Sequence, residues 1–101
     1  MNDFESRMLT MRTVMGKEYA DTVLVDGHIV NVDAGIVERA NIAIAGSRIA
    51  RVGVVDDLIG PHTSIIHIHG ILCPGFIDAH YHIDDSLLPP SIHARLAIPH
   101  G

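Results

Sequence analysis

From Thr22 onward the chain alternates short apolar runs with polar or glycine-containing breaks, at intervals too tight for helices. Val23-Leu24-Val25 and His28-Ile29-Val30-Asn31-Val32 flank Asp26-Gly27. An Asp-Gly pair between two β-rich runs predicts a hairpin with a type I′ turn, which needs φ > 0 at both central residues. Ile42-Ala43-Ile44 and Arg48-Ile49-Ala50-Arg51-Val52 flank Ala45-Gly46-Ser47, predicting a second hairpin closed by Gly53. The two units resemble each other, but two copies do not make a solenoid. Asp56 to Pro61 reads as a loop or a single helical turn, Ser64 to Ile68 as a short strand, and Gly70-Ile71-Leu72 as another extended piece. Residues 20–73 are therefore expected to be mainly β, as a small sheet or sandwich. Ahead of them, Met8, Leu9, Met11 and Val14 predict a short amphipathic helix over Ser6 to Val14, ending before Gly16.

The pattern changes after Pro74. Phe76 to His82 reads as a buried strand and Asp84 to Leu88 as a loop. Pro89-Pro90-Ser91 opens a helix, because proline is tolerated at the first helical position. Ile92 and Leu96 fall on one face at i, i+4, and Pro99 stops the helix. Strand, loop and helix in this order predict the first βα unit of a parallel array. A single parallel strand would leave its N–H and C=O groups unpaired, so the array is expected to be incomplete. Three segments follow: a helical one over 1–19, a small β domain over 20–73, and the βα unit over 74–101.

Length sharpens this reading. A (β/α)₈ barrel takes ~250 residues, so 101 residues make one small domain or part of something larger. The net charge is −5, and the seven Lys and Arg form no basic run, which argues against nucleic acid or an anionic membrane as partner. The acidic N-terminus has no following apolar region of signal-peptide type. The apolar stretch from Ile65 to Ile77 is broken by His67, His69, Gly70, Pro74 and Gly75 and cannot span a bilayer. The single cysteine, Cys73, excludes an internal disulfide and is expected to be a buried small apolar residue. A cytoplasmic protein is the expectation.

Candidate chemistry concentrates in Pro74-Gly75-Phe76-Ile77-Asp78-Ala79-His80-Tyr81-His82. On a strand, His80 and His82 at i, i+2 put both imidazoles on one face, with Asp78 on the same face. Two such rings can share one divalent metal at ~2.0–2.1 Å. Asp78 is either an acceptor that orients a histidine ring or a strand-end carboxylate bonded to backbone. Asp84 is a candidate to reach substrate or metal, against a solvated loop carboxylate. His67 and His69 form a second His-x-His without that context, and His28, His62 and His93 read as exposed or structural. His100 reads as part of a Pro-His-Gly turn.

Preceded by Pro-Gly-Phe-Ile-Asp-Ala, the His-x-His resembles the first barrel strand of the metal-dependent amidohydrolase superfamily. Residues 23–31 and 42–53 resemble the paired hairpins of the small β domain that precedes that barrel. The succession His82-Ile83-Asp84-Asp85-Ser86-Leu87-Leu88, Pro90-Ser91, Ala94-Arg95 and Pro99-His100-Gly101 is similar to the adenine deaminase branch. Two departures stand out: Asp84-Asp85 where that branch carries Glu-Ser, and His67 where relatives often carry aspartate. The resemblance implies a TIM-type barrel begun but not finished, with His80 and His82 binding a divalent cation (Mn, Zn or Fe) and the other ligands on later strands. It implies metal-assisted hydrolytic deamination of adenine to hypoxanthine and ammonia in the complete enzyme, with a purine as partner and a homo-oligomeric state. It also implies an inactive fragment at this length. The zinc deaminases built on Pro-Cys-x-x-Cys are excluded by the single cysteine. A dihydroorotase- or hydantoinase-like hydrolase, a deacetylase of the same superfamily, and a non-catalytic β module are the alternatives.

Overall fold

The computed structural model describes residues 2–80 and 82–100, apart from the side chains of Asp84 and Asp85. Helix α1 spans Asp3–Val14. It starts three residues earlier than the apolar pattern predicts because Asn2 and Glu5 form a capping box. The Glu5 amide donates to Asn2 Oδ1 at 2.8 Å, and the Asn2 amide donates to Glu5 Oε2 at 3.2 Å. The strands are β1 (Thr22–Asn31), β2 (Ile36–Ala45), β3 (Arg48–Gly53), β4 (Ser64–His67) and β5 (Ile71–Leu72), and a second helix, α2, spans Pro90–Ala97.

The five strands form one mixed sheet in the order β3-β2-β1-β4, with β5 further along the same edge of β1 as β4. β1 to β3 run antiparallel as a meander, and β4 and β5 run parallel to β1. The expected sheet or sandwich is thus a single sheet, and no second sheet occurs among the described residues.

The hairpin expected at Asp26-Gly27 is not there. Asp26 does adopt φ 62°, but Gly27 does not share a positive φ, and a type I′ turn needs both. The strand instead carries a bulge, with Val25 and Asp26 opposite Asn41 alone, whose side-chain oxygen accepts from the Asp26 amide at 3.3 Å. β1 continues to Asn31, and the chain reverses over residues 32–35. There the Asn31 carbonyl accepts from Gly35, at φ 68°, and its side chain accepts from Ala34. The second hairpin matches the expectation: Ala45 pairs with Arg48 across Gly46-Ser47, and Gly46 takes φ 61°. β2 begins six residues before the predicted apolar triplet, because cross-strand pairing with β1 holds Ile36 to Asn41 extended despite their mixed composition.

One face of the sheet carries the core. Val23 and Ala43 face each other across β1 and β2 and are buried with Ala20, Val55 and Leu58. Leu58 sits in a 3-10 turn over Asp56–Leu58 and is wholly inaccessible, so one turn of helix plugs the core where a longer one is absent. Thr13 of α1 is the buried polar residue, its hydroxyl donating to the Leu9 carbonyl at 2.8 Å. On the opposite face, register aligns Val52, Ile42, Leu24 and Ile66 in one cross-strand row. Its two end residues, Val52 and Ile66, are about half exposed.

Beyond β5 the sheet ends. The buried strand expected over 76–82 does not form: residues 76–80 and 82 have no ladder partner, and Phe76 and Ile77 are 84% and 91% exposed. A parallel strand exists only through a neighbour that takes up its backbone hydrogen bonds, and among the described residues no strand pairs with it. Cys73, expected to be buried, is exposed. The helix of the expected βα unit does form, with Pro90 in its first turn, and the chain passes into a 3-10 turn at Ile98–His100 around Pro99.

Candidate metal centre

Residues 74–80 and 82 lie outside the sheet and are solvent-exposed, Tyr81 lying outside the described residues, and their chemistry is set locally. Asp78 Oδ1 accepts from the His80 amide at 3.1 Å. This two-residue hydrogen-bonded turn is typical of aspartate and bends the chain at Ala79-His80. The bend brings together the two rings that a strand would have held on one face. His80 Nε2 and His82 Nε2 lie 2.8 Å apart, with ring centroids at 4.7 Å and planes inclined by 66°. One nitrogen donates and the other accepts, so at least one ring presents a lone pair.

The two Nε2 atoms converge on one point in space. A tetrahedral cation with two imidazole ligands at ~2.05 Å needs the nitrogens ~3.3 Å apart. Opening the observed pair by about half an ångström, with loss of the shared proton, satisfies that geometry. The donor set therefore fits a divalent cation as two of its ligands. It does not complete a site, since among the described residues no group of three or more His, Cys, Asp or Glu converges.

The other sequence-predicted residues are placed as follows. Asp78 bonds backbone rather than an imidazole nitrogen. Asp84 lies in the 3-10 turn Ile83–Ser86, and its side chain is outside the described structure. His67 pairs through Nδ1 with Asp26 Oδ2 at 2.9 Å, both side chains exposed. This cross-strand pair was not foreseen in the sequence; the signal available was the Asp at a left-handed bulge, which turns its carboxylate toward β4. His28, His62, His69 and His100 are exposed. A shallow groove lined by Asp26, Arg39, Asn41 and Asp56 lies on the sheet and includes neither His80 nor His82.

Comparison with known proteins gives the placement of the chain. It is 44% identical over 87 residues to an adenine deaminase of Moorella thermoacetica, a match covering 85% of this chain and 15% of that protein. An adenine deaminase of Staphylothermus marinus is 39% identical over 104 residues, with 98% of this chain and 17% of that protein covered. One of Clostridium botulinum is 36% identical over 108 residues, with 99% and 18% covered. The chain matches an N-terminal portion of an adenine deaminase-like protein. It spans less than a fifth of the length of these curated relatives. No protein-family model matches it. A crystal structure of a Bacillus thuringiensis protein has a TM-score of 0.47 and 28% identity, covering 64% of this chain and 92% of that one.

Among the described residues no helix is long and apolar enough to cross a membrane.

Proposed function

We propose that this chain supplies the small β domain and the first two metal ligands, His80 and His82, of a hydrolase that deaminates adenine. The observation that carries the reading is the 2.8 Å convergence of the two Nε2 atoms within a segment matched by proteins named adenine deaminase. A divalent cation held there would supply Lewis-acid activation of water for hydrolysis of a C–N bond. The chain's own contribution is positional. The Asp78 carboxylate fixes the bend that aims the rings, and the sheet over 20–73 anchors the arm that carries them. Ligands three and above, and the groups that would grip a purine, belong to parts of such an enzyme that this chain does not contain. Manganese, zinc and iron are all compatible with an imidazole pair.

Two readouts test this. In a chimera where this chain replaces the matched segment of the Moorella adenine deaminase, adenine-dependent ammonia release is expected to persist. His80→Ala or His82→Ala in that chimera is expected to lower it at least ~10³-fold, the loss expected when an ion that generates the nucleophile is displaced. Full activity of either variant would remove that histidine from the centre and break the pair. In the isolated chain, Mn²⁺ is expected to broaden the imidazole resonances of His80 and His82 before those of His67 and His69. Broadening centred on the second pair would contradict the assignment.

A further inference from the structure

Helix α1 is packed inside out. The side it turns toward the sheet carries Ser6, Leu9, Thr10 and Thr13, spaced i, i+3, i+4, i+7 and all half-buried or buried. The two threonine hydroxyls donate to the carbonyls of Ser6 and Leu9, at 2.9 and 2.8 Å, so the polar atoms facing inward are satisfied within the helix. The opposite side carries Phe4, Met8, Met11 and Met15, spaced 4, 3, 4, and exposed at 71%, 42%, 57% and 58%. A seam of that spacing is what one helix presents to another. Small polar residues inward and large flexible apolar residues outward invert the usual arrangement of a surface helix.

The charges flanking the seam select the partner. Glu5 and Arg12 lie along one flank, seven residues apart, and Arg7 and Val14 along the other. An antiparallel second copy sets Phe4 against Met15 and Met8 against Met11. It sets each Glu5 beside the second copy's Arg12, while Arg7 meets Val14. A parallel copy would instead bring Arg7 against Arg12, placing like charges together. Glu5 and Arg12 remain available for this: Glu5 uses one carboxylate oxygen in the capping box, and Arg12 meets Glu18 at 3.1 Å with both side chains about half exposed. A two-fold axis at the middle of the helix makes the surface self-complementary, as an isologous contact requires. We infer that the Phe4-Met8-Met11-Met15 stripe of α1 is a homodimerisation surface that pairs antiparallel with the same stripe of a second copy.

The helix is about 18 Å long, so the contact is small beside the ~1,600 Å² of a standard interface. Association is accordingly expected to be concentration-dependent. Sedimentation velocity on the 101-residue chain, from about 10 μM to about 1 mM, is expected to show a monomer–dimer equilibrium. Met8→Lys/Met11→Lys is expected to raise the dissociation constant at least about tenfold with an unchanged circular dichroism spectrum. Arg12→Glu brings a carboxylate of one copy against the Glu5 carboxylate of the other and is expected to weaken the dimer. Glu5→Arg/Arg12→Glu is expected to restore it. A monomer at every concentration overturns the inference, whatever else the stripe contacts. So does a dimer insensitive to the methionine pair, or one lost on Ile66→Lys, which would place the contact on the open sheet face.

Discussion

Arg51 and Asp57 meet at 2.6 Å, and around that pair the three parts of the β domain are tied together. From β3, Arg51 also donates to the carbonyl of Val14 at the end of α1 (2.8 Å) and to that of Val54 (3.3 Å). One guanidinium thus closes the helix C-terminus, where the dipole favours positive charge, and holds the turn that delivers Leu58 to the core. Arg51 is less exposed than its partner, 29% against 58%. Arg51→Ala is expected to destabilise the domain by about 1–2 kcal/mol, read from the urea midpoint at constant m-value. Arg51→Lys keeps the charge but not the fork and is expected to recover less than half of that. An unchanged midpoint for Arg51→Ala would show the network to be an ornament of the surface.

Leu58 is the largest side chain excluded from solvent, in a core of only a few residues. Leu58→Ala removes its apolar contacts and leaves a cavity against Val23, Val55 and Ala43. The expected cost is about 2–5 kcal/mol, a large share of the ~5–15 kcal/mol that holds a domain of this size folded. Circular dichroism and amide exchange read it directly; native-like protection of the Val23 and Ala43 amides in the variant would show that the core is centred elsewhere.

Gly60 sits under Tyr19. A Cβ there would lie 2.4 Å from the ring carbons and 2.9 Å from Tyr19 Cβ, too near the backbone for a simple rotation to escape. Gly60 also donates its amide to Thr63 Oγ1, which in turn donates to the Ala20 carbonyl, so the loop cannot retreat freely. Gly60→Ala is expected to cost about 1–3 kcal/mol. Added to Tyr19→Gly, which removes the Cβ as well as the ring, the same change should cost under about 0.5 kcal/mol, and the double-mutant cycle measures the difference. Additive effects would contradict the clash.

The isolated chain is expected to release no ammonia from adenine with added manganese or zinc, because two imidazoles do not complete a catalytic centre. Cation binding at His80 and His82 should be weak and should fall on acidification, as protons displace the metal from the imidazoles. A steady-state ammonia assay and an NMR metal titration check the two halves. Measurable turnover would show that later ligands are dispensable.

Much of the fold was legible along the chain, and the exceptions share a cause. The Gly46-Ser47 hairpin, β4 and the proline-opened α2 follow from local turn chemistry and backbone restriction. The Asp26-Gly27 hairpin failed because the same dipeptide also suits a bulge, and pairing with β2 on one edge and β4 on the other kept the strand going. The expected helix under-read its own start, since the cap is polar, and its apolar residues other than Leu9 point outward rather than in. The strand at 76–82 failed for want of a neighbour, although the two imidazoles it was expected to align still meet, through an aspartate turn.

By itself the sequence determined the β meander's later turn, the proline-opened start of α2 and the close spacing of two imidazoles, since each depends on residues within a few positions of one another. Only the tertiary structure decided that β1 runs through its Asp-Gly step, which side of α1 faces the sheet, and that residues 74–80 and 82 stay outside it. Those outcomes turn on which strand edge or sheet face is available to accept a hydrogen bond or cover a side chain, and that is a property of the assembled fold.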